Sequence, residues 1–119
     1  MSLYYELPIY KDVYKLILLI YANTKDFPRE YKYSLGQDIK RDSLQLVRGI
    51  YRVNKSFDKK QHFQVLLDDF ELIKFQLRLC ADLKLLSVAK QAQLMEMIAV
   101  IGKQLTAWSK KYLPESSVK

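Results

Sequence analysis

Apolar residues recur at helical spacing through four stretches of the chain, and each stretch is bounded by a residue that starts or stops a helix. Pro8, suited to a first helical turn, opens a run in which Ile9, Val13, Leu16 and Ile20 share a face, and Phe27-Pro28 closes it. Ser34 and Gln37 have the spacing of a capping box, after which Ile39, Leu46, Ile50 and Val53 line one side of a helix running to about Asn54. Asp58 and Gln61 repeat that spacing ahead of Phe63, Leu66, Phe70, Ile73, Leu77 and Cys80. Their alternating steps of three and four predict the longest helix and a seam packed at a shallow angle. Ser87 is placed to cap a last helix through Leu94, Ile98, Ile101, Leu105, Trp108 and Tyr112, with Pro114 as its stop and Glu115 to Lys119 as a frayed tail.

Short connections between long helices favour antiparallel neighbours. The expected fold is therefore all-α, an up-down-up-down four-helix bundle in which residues 1–119 form a single domain. Composition agrees: half the residues are hydrophobic, and only 3 glycines and 3 prolines interrupt 119 positions. A chain of this length buries enough surface for a core of its own.

The apolar pattern is wider than one core face requires. With Ile73 and Leu77 inward, a step of about 100° per residue puts Leu72, Phe75, Leu79 and Leu86 on another side of the third helix. Tyr14, Leu18 and Tyr21 form a similar line on the first helix, and Leu44 with Tyr51 lie nearly opposite the core face of the second. Either the bundle is irregular with broad core faces, or these stripes are covered by copies of the chain in a homo-oligomer. Tyr14, Leu18, Tyr21, Leu72, Phe75, Leu79 and Leu86 are the candidate interface.

Charge adds a direction. Lys and Arg number 20 against 13 Asp and Glu, a net charge of +7, which favours encounter with polyanions such as RNA or DNA. Arg41, Arg48, Arg52 and Lys55 fall within about 60° of one another on the outward face of the second helix, a positive ridge that matches a phosphate backbone without demanding a base sequence. Lys60, Lys74 and Arg78 make a comparable line on the third helix, and Tyr51 is placed to stack on an unpaired base. The competing arrangement pairs these cations with Asp38, Asp42, Glu71 or Asp82 on solvated helix faces.

Nothing in the sequence assembles a catalytic constellation. The single histidine, His62, precedes the inward Phe63 at a helix start, and Asp68, Asp69 and Glu71 have no histidine at the spacing of a metal-binding bundle. Gly36, Gly49 and Gly102 make no phosphate loop, and Gly49 in mid-helix reads as a point of close helix approach. Trp108, Met95 and Met97 read as packing residues. The expectation is a non-enzyme with no catalytic residues, no metal and no cofactor. Lone Cys80 excludes an internal disulfide and reads as a core thiol. The longest apolar run, Leu16 to Ala22, falls far short of the roughly 20 residues that cross a bilayer, so a cytoplasmic protein with no membrane partner is expected.

Phe27-Pro28-Arg29, Tyr33, Leu35-Gly36, Ile39 and Arg41 resemble the turn and second helix of four-helix-bundle proteins related to those encoded in intervening sequences of bacterial 23S ribosomal RNA genes. The stretch from Leu77-Arg78-Leu79-Cys80 through Ala81-Asp82-Leu83-Lys84 to Leu85-Leu86-Ser87, then Ile101-Gly102 and Trp108, is similar to the accessory variability determinant (Avd) proteins of diversity-generating retroelements. That resemblance implies a homopentameric ring of bundles whose positive surface binds nucleic acid and the retroelement's reverse transcriptase, supporting copying of template RNA into mutagenised cDNA. Arg41 and Arg78 fall at positions of the resemblance, whereas Arg48, Arg52, Lys55, Lys60 and Lys74 rest on helical geometry alone. The alternative is a bundle of the intervening-sequence type that serves as a protein-interaction scaffold.

Overall fold

A computed structural model describes residues 3–113. Pro114 and the tail from Glu115 to Lys119 lie outside the described residues. A short 3-10 turn, Tyr4–Glu6, leads into α1 (Pro8–Thr24), then α2 (Arg29–Lys32), α3 (Leu35–Lys55), α4 (Lys60–Asp82) and α5 (Val88–Ser109). The four long helices are those expected from periodicity; α2, a single turn, was not. It forms where Tyr31 and Lys32 donate their backbone N–H groups to the Pro28 carbonyl at 2.9 and 2.8 Å.

Cross-helix pairs fix the topology. Tyr21 faces Lys40 while Tyr4 faces Tyr51, so α3 runs back along α1. Asp42 meets Gln76 and Gly49 meets Leu66, which sets α4 antiparallel to α3. Phe70 lies beside Gly102 and Phe63 beside Trp108, and Gln104 reaches Asp12. α5 is thus antiparallel to both α4 and α1, closing an up-down-up-down bundle. The core takes Val13, Leu16, Ile20, Ile39, Leu46, Ile50, Phe63, Leu66, Ile73, Leu94, Ile101 and Leu105, all essentially buried. At Gly49 an added Cβ would stand 2.8 Å from Leu66 Cδ1, so the absent side chain lets α3 and α4 approach closely. Burial also pushes the Cys80 thiol up to about 11, the state of an inert core thiol.

Helix ends are less regular than the sequence suggests. Ser87 Oγ does accept from the Lys90 N–H, at 3.2 Å, as expected of the last N-cap. Ser34 does not cap α3; its hydroxyl instead donates to the Glu30 carbonyl at 2.8 Å, because the α2 turn places that acceptor within reach. The Asp58 box does not form either. Lys59 takes the N-cap position of α4, and Asp58 Oδ1 accepts from the nearby Lys60 N–H, at 3.3 Å. Lys59 turns its ammonium back on α3, donating to the carbonyls of Val53, Asn54 and Ser56 at 2.6, 3.3 and 3.0 Å. One side chain thereby satisfies carbonyls that the end of α3 would otherwise leave open.

α4 ends in a reversal through Lys84, whose φ of 61° is left-handed. The Leu85 N–H donates to Cys80 O at 2.9 Å and the Lys84 N–H to Ala81 O at 3.0 Å, the bonding of a Schellman motif. This corrects the placement of Leu86. Helical stepping puts it on the outer stripe, but the helix has ended by then, and the reversed chain tucks it into the core at 7% exposure beside Phe27 and Ile39. α5 stops at Ser109, so Tyr112 lies in the turn beyond it and stacks on Phe63 with centroids 5.6 Å apart.

Candidate nucleic-acid interface

The predicted cations divide by their partners. Arg41 is ion-paired, Nη1 to Asp38 at 3.2 Å and Nε to Asp42 at 3.1 Å, and the hydrogen bond to Asp42 leads the effects that hold its guanidinium above the ordinary value. Lys74 pairs with Glu71 at 2.9 Å, and Arg78 with Asp82 at 3.3 Å. For these three the solvated-face arrangement prevails, since each has a carboxylate one helical turn or less away. Such exposed pairs contribute little stability, but they cancel local potential. Arg48, Arg52 and Lys60 are exposed and have no carboxylate partner among the described residues; Lys55 lies over the Tyr51 ring, 4.7 Å from its centroid.

The two ridges do not merge. Arg41, Arg48, Arg52 and Lys55 run along the outer face of α3. Lys74 points to the other flank of α4, where with Lys103, Lys110, Asp68 and Glu71 it lines an open cleft of about 1080 Å³ between α4 and α5. What the structure does bring together are three of the four predicted cations that have no carboxylate partner among the described residues. Arg52, Lys55 and Lys60 gather at the end of the bundle where α3 finishes and α4 begins.

The same end is rich in aromatic rings. Tyr4 packs edge-on against Tyr5, Tyr10 and Tyr51 at centroid distances of 5.5, 5.5 and 5.3 Å. Lys59 sits 5.6 Å from the Tyr112 ring, which itself stacks on Phe63. Tyr5 and Tyr51 remain exposed, and Phe57, in the tight turn between α3 and α4, is completely so. Periodicity passed over Phe57, Tyr5 and Lys59 because none lies on a regular helical stripe; a phenylalanine between Ser56 and Asp58 in a polar turn was the available signal.

Two apolar faces flank the α3 ridge. On one side Tyr14, Leu18 and Tyr21 of α1 are exposed next to Leu44 and Tyr51, with Lys40 Nζ 5.4 Å from the Tyr21 centroid. On the other, Leu72 and Phe75 of α4 are exposed along with Val65, and Leu79 is half-buried. Leu86, being core, leaves this set.

Among the described residues, Asp69 is the carboxyl displaced upward, first by desolvation and then by the charges of the adjacent Asp68 and of Asp42 on α3. No group of side chains suited to holding a metal ion occurs among the described residues, and none of their helices is long and apolar enough to cross a membrane.

Sequence comparison bears on all four long helices at once. A family model described as bAvd-like matches residues 7–112. No curated protein matches the chain.

Proposed function

The chain belongs to the bAvd-like family, and from that premise we propose that it is a non-catalytic, cytoplasmic accessory protein that binds RNA or DNA and serves a retroelement reverse transcriptase, whose polymerase chemistry stays with the partner. The observation that carries this reading is the run of cations with no carboxylate partner among the described residues, Arg48 and Arg52 on α3 continuing to Lys55 and Lys60. A row of guanidinium and ammonium groups held on a rigid helix attracts phosphates through counterion release, independently of base sequence.

Assembly into a homo-oligomeric ring, a pentamer by the family resemblance, is part of the proposal. Its support is that the apolar faces on either side of the ridge are unlike one another, Tyr14, Leu18 and Tyr21 against Leu72, Phe75 and Leu79. Unlike faces favour head-to-tail contacts, which close into rings when the rotation allows, over the self-matching contact of a twofold dimer.

The test is charge removal by Arg48→Gln with Arg52→Gln. Losing two phosphate contacts should weaken RNA or DNA binding and lower the log-log salt slope by about 1.4 to 1.8, while light scattering finds the oligomer unchanged. Equal affinity and slope in the variant would refute the ridge as the interface. The exposed Leu72 and Phe75 favour a second reading, a protein-interaction scaffold, which gains if the ridge variant behaves as wild type in every assay.

A further inference from the structure

We infer that the nucleic acid taken by this protein is an unpaired strand, whose bases stack on Phe57 at the tip of the α3–α4 turn; the inference rests on the nucleic-acid reading above and specifies its substrate. Phe57 is fully exposed, although a phenylalanine left in water forgoes about 1.5–3 kcal/mol of burial. It is not on a loose loop. Lys59 Nζ bonds the carbonyls of Val53, Asn54 and Ser56, and the Ser56 N–H closes the helix on Arg52 O at 3.0 Å. The turn is therefore held shut beneath the ring and presents it outward.

The surroundings of Phe57 select the partner. Arg52, Lys55 and Lys60 lie within a few residues of it, and no ion pair among the described residues involves this end of the bundle. Among the described residues, the neighbouring Asp58 accepts from the Lys60 N–H at 3.3 Å, and Glu6, in the turn before α1, accepts from the Leu3 N–H at 2.9 Å. An exposed ring on a basic surface suits a ligand with both negative charge and flat apolar faces. A duplex offers the charge but keeps its faces stacked within; an unpaired strand offers both. Tyr5 and Tyr51, exposed at the same end, extend the platform.

The experiment is fluorescence anisotropy of the intact protein with labelled oligouridylate, oligothymidylate and a duplex of equal length. Wild type should bind the single strands more tightly than the duplex, and the two single strands separate a preference for RNA from one for DNA. Phe57→Ala should weaken single-strand binding by about 5- to 150-fold, the range for loss of one stacked base. Duplex affinity and the salt slope should stay the same, and Phe57→Trp should retain binding. Since Phe57 is completely exposed, the thermal melt of the alanine variant should match wild type. Unchanged single-strand binding in Phe57→Ala, or an equal loss on the duplex, overturns the inference and leaves the ring to anchor a protein. If that happens while Arg48 and Arg52 still govern binding, only this inference fails; if wild type ignores all three probes, the nucleic-acid reading fails with it.

Discussion

Replacing Gly49 tests the closest approach in the bundle. A Cβ there would meet Leu66 Cδ1 at 2.8 Å, Cβ at 3.2 Å and Cγ at 3.4 Å, and Leu66 is 1% exposed, so its side chain can give way only within the core and not into solvent. The 3.2 Å contact is the harder one, because a Cβ moves only with its helix, and α4 must shift by a few tenths of an ångström. Overpacking of this kind costs about 1–3 kcal/mol. Against it, alanine gains about 1 kcal/mol over glycine in helix propensity. Gly49→Ala should therefore be neutral to destabilising by about 2 kcal/mol. Gly49→Val adds two methyl groups beyond alanine's Cβ with little propensity gain and should lose at least about 2 kcal/mol. Urea unfolding followed by circular dichroism measures both, and Leu66→Ala supplies the internal control. Removing Cδ1 abolishes the shortest contact, so Gly49→Ala should be less harmful in that background than in wild type. A Gly49→Ala protein stabilised by the full propensity gain of about 1 kcal/mol would refute the close packing of α3 on α4.

Two further outcomes follow from the backbone and from titration. Lys84 holds a left-handed φ of 61°, a conformation that costs a residue with a side chain about 1–2 kcal/mol, so Lys84→Gly should raise stability by about 0.5–1 kcal/mol in urea unfolding once the looser unfolded chain is discounted. Asp69 is raised by desolvation, Asp68 and Asp42, so the folded state holds its proton more tightly than the unfolded one. Its contribution becomes unfavourable as pH rises from the ordinary carboxylate range through the folded value, and Asp69→Asn should be more stable than wild type at neutral pH. That advantage should vanish in acid, where both forms are protonated, and thermal melts across pH would contradict the assignment if it persisted there.

The bundle was legible because burial follows period. Leu16, Ile39, Phe63, Leu66, Ile73, Leu94 and Ile101 stand on their helices' inward stripes and are essentially buried. Periodicity failed where the chain leaves the helix. Stepping beyond Asp82 puts Leu86 on the outer stripe, although Lys84 has by then turned the chain, and lysine gives no such warning as glycine would. Ser34 has the right type for a cap, but a one-turn helix supplies its hydroxyl with a nearer acceptor. Among the site residues, Arg48 and Arg52 could be placed by angle alone. The neutralisation of Arg41, Lys74 and Arg78 depends on rotamers that spacing does not specify, even though their acidic partners were visible. Phe57 was invisible to any periodic argument because its position is set by Lys59, a tertiary contact made through a single ammonium.

That ammonium has a kinetic corollary. With three carbonyls closed around Lys59, the turn above it has no ordering step left to perform when something lands there. Capture of a strand at this tip, as proposed above, would then proceed as rigid docking, its speed set by diffusion and long-range charge steering. Added salt would slow arrival, while viscosity and ionic strength, not chain rearrangement, would govern how fast the tip is occupied.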